Sequence, residues 1–122
     1  MFSFRDVEYK SVVKVPNQAA AAERLEPGVL VLVMPGEKPK SLKFLCPCGC
    51  GETISINLMP ASGKAWRLAY EPGFGLSLWP SVWLDVGCCS HFFLRRNKAR
   101  LLFGKMPEML PEEYERWWED AK

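Results

Sequence analysis

The chain has 122 residues, 48% of them apolar, enough for one domain with a useful core and too few for two. A formal net charge of +2 does not by itself point to a polyanionic partner. No apolar run approaches the roughly 20 residues that cross a bilayer, and residues 1–6 (MFSFRD) lack a basic segment leading into an apolar one. The sequence is therefore read as cytoplasmic and soluble, one domain over 1–122 with its core in 26–103.

In chain order, Phe4 to Val15 is rich in Val, Tyr and Phe and stops at Pro16, which predicts a first strand or hairpin arm. Asn17 is placed to cap a short helix from Gln18 to Leu25, ended by Pro27 and Gly28. Val29 to Met34 is continuously apolar, the pattern of a strand covered on both faces, and residues 35–39 (PGEKP) form a turn by composition. Ser41 to Leu45 is a further strand. Glu52 to Leu58 alternates polar and apolar residues, so one face is buried and the other wet. Trp66 to Tyr70, Gly75 to Trp79 and Val82 to Val86 read as strands, the last two parted by Pro80 and Ser81. His91 to Arg95 and Ala99 to Phe103 flank a short turn and predict a hairpin. Pro111, Glu112 and Glu113 then open an amphipathic helix over about 111–121, with Tyr114, Trp117, Trp118 and Ala121 at helical spacing; the stripe packs on the sheet or docks a partner. The fold class is mainly β: a small zinc-stabilised antiparallel sheet with one short helix early and one amphipathic helix late.

The cysteines carry the clearest chemistry. There are five, an odd number, and three fall in Cys46-Pro47-Cys48-Gly49-Cys50, an arrangement a disulfide framework uses poorly. Thiolates bind zinc strongly, and four tetrahedral ligands taken from two separated pieces of chain would close a small sheet. Pro47 fixes a bend, and Gly49 and Gly51 permit positive φ, so all three loop thiols can turn inward. The second piece is Cys88-Cys89-Ser90-His91. Two ligand sets stand: Cys46, Cys48, Cys50 and Cys88, which leaves His91 free, or a set in which His91 replaces one loop cysteine. Either closes the zinc shell and argues against hydrolysis at the metal. Cys89 points away from Cys88 on extended chain and is read as an apolar filler.

His91 is the single histidine, so a general base of the imidazole kind must be this residue. The hydroxyls near it in sequence are Ser90 and Ser81. Adjacent residues diverge on a strand, which favours Ser81 as nucleophile over Ser90 and leaves Ser90 to orient His91. Amides of residues 49–51 are candidates for an oxyanion site, and Asp85 for the acid of a triad. The competing reading makes these serines turn formers and hydrogen-bond donors around the metal. Arg95, Arg96, Lys98, Arg100 and Lys105 crowd the terminal hairpin beside Phe92 and Phe93, a pattern shared by nucleic-acid binders and by solvated sheet edges.

Residues 44–51 (FLCPCGCG), 76–83 (LSLWPSVW) and 87–96 (GCCSHFFLRR) together resemble a family of small bacterial zinc proteins encoded beside ubiquitin-like conjugation genes. The resemblance implies a zinc-stabilised serine peptidase that processes or deconjugates a bacterial ubiquitin-like protein. It carries Cys46, Cys48, Cys50 and Cys88 as structural Zn2+ ligands, and Ser81, Ser90 and His91 as the active hydroxyls and imidazole. Cys89 departs from a position often basic or polar in relatives. Two other functions stay open: a non-catalytic zinc module that recruits a ubiquitin-like protein or its conjugation enzymes, and a basic nucleic-acid-binding zinc domain.

Overall fold

The computed structural model describes residues 3–84, 88 and 91–103. The elements run β1 (Ser3–Glu8), β2 (Ser11–Val15), α1 (Gln18–Arg24), β3 (Val29–Val33), β4 (Ser41–Leu45), β5 (Thr53–Asn57), a 3-10 turn at Pro60–Ser62, β6 (Arg67–Glu71), β7 (Gly75–Trp83), β8 (His91–Arg95) and β9 (Lys98–Phe103). The expectation of a mainly β chain is met, and the strands divide between two sheets. One has four strands in the order β2-β3-β4-β5, the other five in the order β1-β9-β8-β7-β6. The late helix expected over 111–121 lies outside the described residues. Among the described residues, no helix is long and apolar enough to cross a membrane.

The four-stranded sheet explains the unbroken apolar run of β3. Leu30 and Leu32 face the interior between the sheets, while Val29, Val31 and Val33 face the other way, with Val15 of β2 and against Ala21 of α1. A strand covered on both faces has no use for polar alternation. The helix starts where expected: the Asn17 side chain accepts a hydrogen bond from the Ala20 amide at 2.8 Å. It carries the chain from β2 to β3, which pair in parallel, whereas β3, β4 and β5 pair antiparallel.

The two sheets share one core. Leu42, Phe44, Ile54 and Ile56 from one meet Leu76, Leu78, Val82, Phe92, Leu94 and Leu101 from the other. Phe44 lies edge-on to Phe92 at 6.1 Å and to Tyr9 at 5.6 Å. Each fully buried Leu or Phe of this set contributes roughly 1.5–3 kcal/mol of transfer free energy. The Tyr9 hydroxyl is not wasted there, because it donates to the Leu45 carbonyl at 2.7 Å.

Two expectations are corrected. The stretch from Phe4 to Val15 is two strands in different sheets, β1 against β9 and β2 against β3. At the crossing, the Tyr9 amide donates to Asn97 O and the Lys10 amide to Gly28 O. The separation of Gly75–Trp79 from Val82 onward at Pro80 is also not observed, since β7 runs through Pro80 to Trp83. Proline is tolerated because the pairing with β8 is irregular there: Leu78 faces Leu94 and Val82 faces Phe92, so β7 spends four residues where β8 spends two. The hairpin between β8 and β9 turns on Arg96 and Asn97, both at positive φ (47° and 65°), as a two-residue turn of right-handed strands requires.

Candidate active site and metal centre

The cysteine cluster forms where β4 leads into the loop before β5. The Cys46 amide donates to Glu52 O at 2.8 Å, which closes the loop base, and the Gly49 amide donates to Cys46 O at 3.1 Å. Gly49 and Gly51 lie at φ 90° and 86°, the left-handed region expected for a chain bending around its own thiols. Cys88 reaches the same point from the approach to β8. The Sγ atoms of Cys46, Cys48, Cys50 and Cys88 all lie within 4.8 Å of one another. Cys46 Sγ is 3.4 Å from Cys48 Sγ and 3.6 Å from Cys88 Sγ, and none of the four is in a disulfide. Sulfurs at the corners of a tetrahedron around an ion 2.3 Å away stand about 3.8 Å apart, so the donor set has the size and chemistry to hold a metal ion. His91 is not among these groups. Cys46 is buried, whereas Cys50 and Cys88 reach the surface. Burial first, then the neighbouring Cys46 and Cys48, push the Tyr9 hydroxyl far above its ordinary range, so it stays a donor.

The second constellation lies on the five-stranded sheet. His91 Nε2 is 2.9 Å from Ser81 Oγ, a hydrogen bond between residues ten apart in sequence. Register makes it: Trp83 of β7 faces His91 of β8 directly, and Ser81, two residues before Trp83, rises from the same face. The extra residues of β7 between Leu78 and Val82 lie just where Ser81 must be re-aimed toward its partner. Behind it, the Trp66 indole N–H donates to Ser81 O at 3.0 Å and fixes the backbone carrying the hydroxyl. The imidazole is half-buried, stacked on the Trp83 indole (centroids 4.7 Å apart, planes 11° apart) and tilted against Phe93 at 5.8 Å. Burial moves its pKa below the ordinary 6.5, so the ring is neutral at pH 7 and able to accept a proton.

Of the residues singled out from sequence, the fold thus brings Ser81 to His91 and gathers four cysteines. Ser90, Cys89 and Asp85 lie outside the described residues. The Gly49 amide is committed to Cys46 O and is not a free oxyanion donor. The basic hairpin differs from its sequence reading, in which five cations faced solvent. Arg100 is fully buried and forms a two-pronged pair with Asp6, Nε to Oδ1 at 2.7 Å and the second nitrogen to Oδ2 at 2.9 Å. Arg95 is buried and donates to the carbonyls of Leu78 and Leu94. Two of the cations counted toward a nucleic-acid surface are therefore spent inside the protein. Trp66 and Trp83 were not signalled by the sequence; aromatic residues in β-rich chains are ordinarily core, and only cross-strand register reveals these contacts.

A family model described as bacterial ubiquitination-like system serine protease (BubE) matches residues 17–102, a span holding the four clustered cysteines, Ser81 and His91. No curated protein and no solved structure matches the chain.

Proposed function

The chain belongs to this family of serine proteases of a bacterial ubiquitination-like system, and from that premise we propose that it cleaves a ubiquitin-like protein from its precursor or its conjugates with Ser81 as nucleophile and His91 as general base. The single observation that carries the assignment is the 2.9 Å contact between Ser81 Oγ and His91 Nε2. The imidazole's lowered pKa agrees with it, since a base must be unprotonated to act.

In this reading the Ser81 oxygen attacks the carbonyl carbon of the scissile amide as its proton passes to His91 Nε2. The imidazolium returns that proton to the leaving nitrogen, and the C–N bond breaks to leave an ester on Ser81. Water then attacks the ester, again giving its proton to His91, and release of the acid restores the serine. For Nε2 to accept, the ring's other nitrogen must carry the hydrogen. The irregular stretch of β7 and the Trp66 contact hold the hydroxyl in place through these steps.

Zinc is the ion we assign to Cys46, Cys48, Cys50 and Cys88, because four thiolates in a closed tetrahedral set are its structural pattern. When bound, it cross-links the loop before β5 to the approach of β8, three residues from His91, and supplies no reacting group. Four close cysteines that form no disulfide persist best in a reducing compartment, which supports the cytoplasm as the location.

The test is incubation with a precursor or conjugate of the ubiquitin-like protein of the same system, with metal content measured in each variant. Ser81→Ala and His91→Ala should each lower turnover by about 10³-fold or more while retaining the metal, and Ser90→Ala should cleave. Turnover surviving in Ser81→Ala would remove Ser81 as nucleophile.

A further inference from the structure

The assignment of His91 as base leaves open what keeps its ring turned toward Ser81. An imidazole on a strand rotates about two side-chain bonds, and a single hydrogen bond to a serine hydroxyl, worth about 0.5–1.5 kcal/mol net, is a weak constraint on both. The structure supplies a second one. Trp83 is 70% exposed, an unusual position for the largest apolar side chain, and among the described residues it stacks on the imidazole. The planes are nearly parallel, 11° apart at 4.7 Å, an offset stack of the kind worth about 0.5–1.5 kcal/mol beyond area. Phe93, two residues along β8 on the same face, closes a second side at 5.8 Å and a tilt of 37°.

Resting on the reading of His91 as base, we propose that Trp83 is a positioning residue whose indole, stacked on the His91 imidazole, holds Nε2 on Ser81 Oγ and shields that contact from water. The placement follows from register. Ser81 and Trp83 are alternate residues of β7, so the residue that presents the hydroxyl also dictates where the indole stands, and the partner of Trp83 across the sheet is His91 itself. Base, nucleophile and clamp are thereby fixed by one strand pair. The indole has a further effect once His91 has taken the serine proton: a cation facing an aromatic ring is stabilised, so the stack does not oppose the charged state through which the reaction passes. Trp83 touches no reacting atom, and its role is exerted through the imidazole.

The chain has one histidine, so its imidazole signals in a magnetic resonance spectrum are unambiguous. In the intact, metal-bound protein, the His91 carbon-bound ring proton should be displaced upfield by the indole, and the ring nitrogens should report an accepting Nε2. Trp83→Ala should abolish the upfield displacement, weaken the Nε2 signature and lower kcat about 10–100-fold with KM within about threefold, the pattern of a misplaced base. Trp83→Phe, which retains a stacking face, should recover most of the spectrum and of kcat, whereas Trp83→Leu, which covers without stacking, should recover neither fully. Phe74→Ala removes another exposed aromatic ring, from the turn at the opposite end of β7, and should change nothing. The proposal is overturned if Trp83→Ala leaves the His91 resonances where they are, or if Leu serves as well as Phe. If no ubiquitin-like substrate is cleaved by the wild type, the protease reading fails by itself, and the resonances of the Trp83 variants still decide whether the indole positions the ring.

Discussion

The cysteine loop on the four-stranded sheet and the Ser81–His91 pair on the five-stranded sheet sit over the same apolar interior and are held in different ways. Three of the four thiols come from five consecutive residues, shaped by Gly49 and Gly51 at positive φ and by the Cys46 to Glu52 hydrogen bond. That geometry is local, and Cys88 is the one thiol of the four that comes from a distant part of the chain. The serine and histidine have no such loop. They meet because β7 and β8 pair in a particular register with an irregularity between Leu78 and Val82. A loop site survives small shifts of its sheet but depends on its ion to fix four like groups together. A register site needs no ion, and any slip of one strand against the other separates its members. The two kinds of site come close in sequence at Cys88, three residues before His91, and both sheets share one core.

The strongest test of this contrast is to remove the zinc proposed for the four thiols. Cys46 is buried in the core shared by both sheets, so its side chain must have either an ion or an apolar environment. Structural zinc in small domains accounts for about 10–16 kcal/mol of apparent binding free energy at pH 7, which is comparable to the whole stability of a typical domain, about 5–15 kcal/mol. Chelation, or Cys46→Ser, should therefore abolish cooperative unfolding or lower its midpoint by tens of degrees, with loss of cleavage following loss of fold. Thermal unfolding followed by circular dichroism, alongside elemental analysis, reads the result. If the metal-free protein melts within a few degrees of the metal-bound one, the cysteine loop is held by its backbone alone and the contrast collapses.

A smaller change tests the other half. Gly75 opens β7 at φ 117°, and a Cβ placed there would stand 2.8 Å from the Arg96 carbonyl carbon and 2.9 Å from the Asn97 side chain. That asparagine accepts from the Leu76 amide at 2.7 Å and so ties the start of β7 to the turn between β8 and β9. Gly75→Ala should cost about 1–3 kcal/mol, the range for a strained backbone position. Because the substitution pushes β7 against the hairpin that carries His91, turnover should fall by more than stability alone explains, with metal content unchanged. Normal turnover in a destabilised Gly75→Ala protein would show that the Ser81–His91 contact tolerates movement of β7.

These tests also mark what the sequence made legible. Clustered cysteines could be read because their chemistry is rare and their separation is two residues. β3 and β5 could be read from unbroken and alternating apolar patterns, each of which reports how many faces are covered. The division into two sheets could not, since β1 finds β9 across the length of the chain, as the Asp6–Arg100 pair does. Nor could the passage of β7 through Pro80, where a residue that normally ends strands is accommodated by a pairing irregularity in β8's partner. The basic hairpin misled for an electrostatic reason. Charge counted along a chain says nothing of partners, and Arg100 had one 94 residues away. That neighbours on a strand diverge favours Ser81 over Ser90, and Ser81 Oγ does meet His91 Nε2, but this argument gives neither the register nor the indoles at Trp66 and Trp83.

The smallest expected effect is on pH dependence, and it separates the register site from the rest of the sheet. Burial lowers the His91 pKa in the folded protein below its ordinary 6.5. Above pH 6.5 the ring is neutral in both folded and unfolded chains and contributes no slope. As pH falls through 6.5 the unfolded chain takes up the proton first, so the folded state loses stability, and the loss is complete once pH passes below the folded pKa. Asp6 acts in a different window: the hydrogen bond from Arg100, partly opposed by burial, lowers its pKa below 3.8, so its contribution is present above 3.8 and fades as pH falls through the lowered value. Comparison of unfolding midpoints for the wild type and His91→Gln between about pH 7 and pH 5 isolates the imidazole, because effects of acid on the thiolate cluster are common to both. The wild type should lose ground to the variant over that interval, and its acid limb of kcat/KM should have its midpoint below 6.5. A difference that stays flat, or an acid limb above 6.5, would mean that burial on this sheet face does not govern the imidazole's protonation.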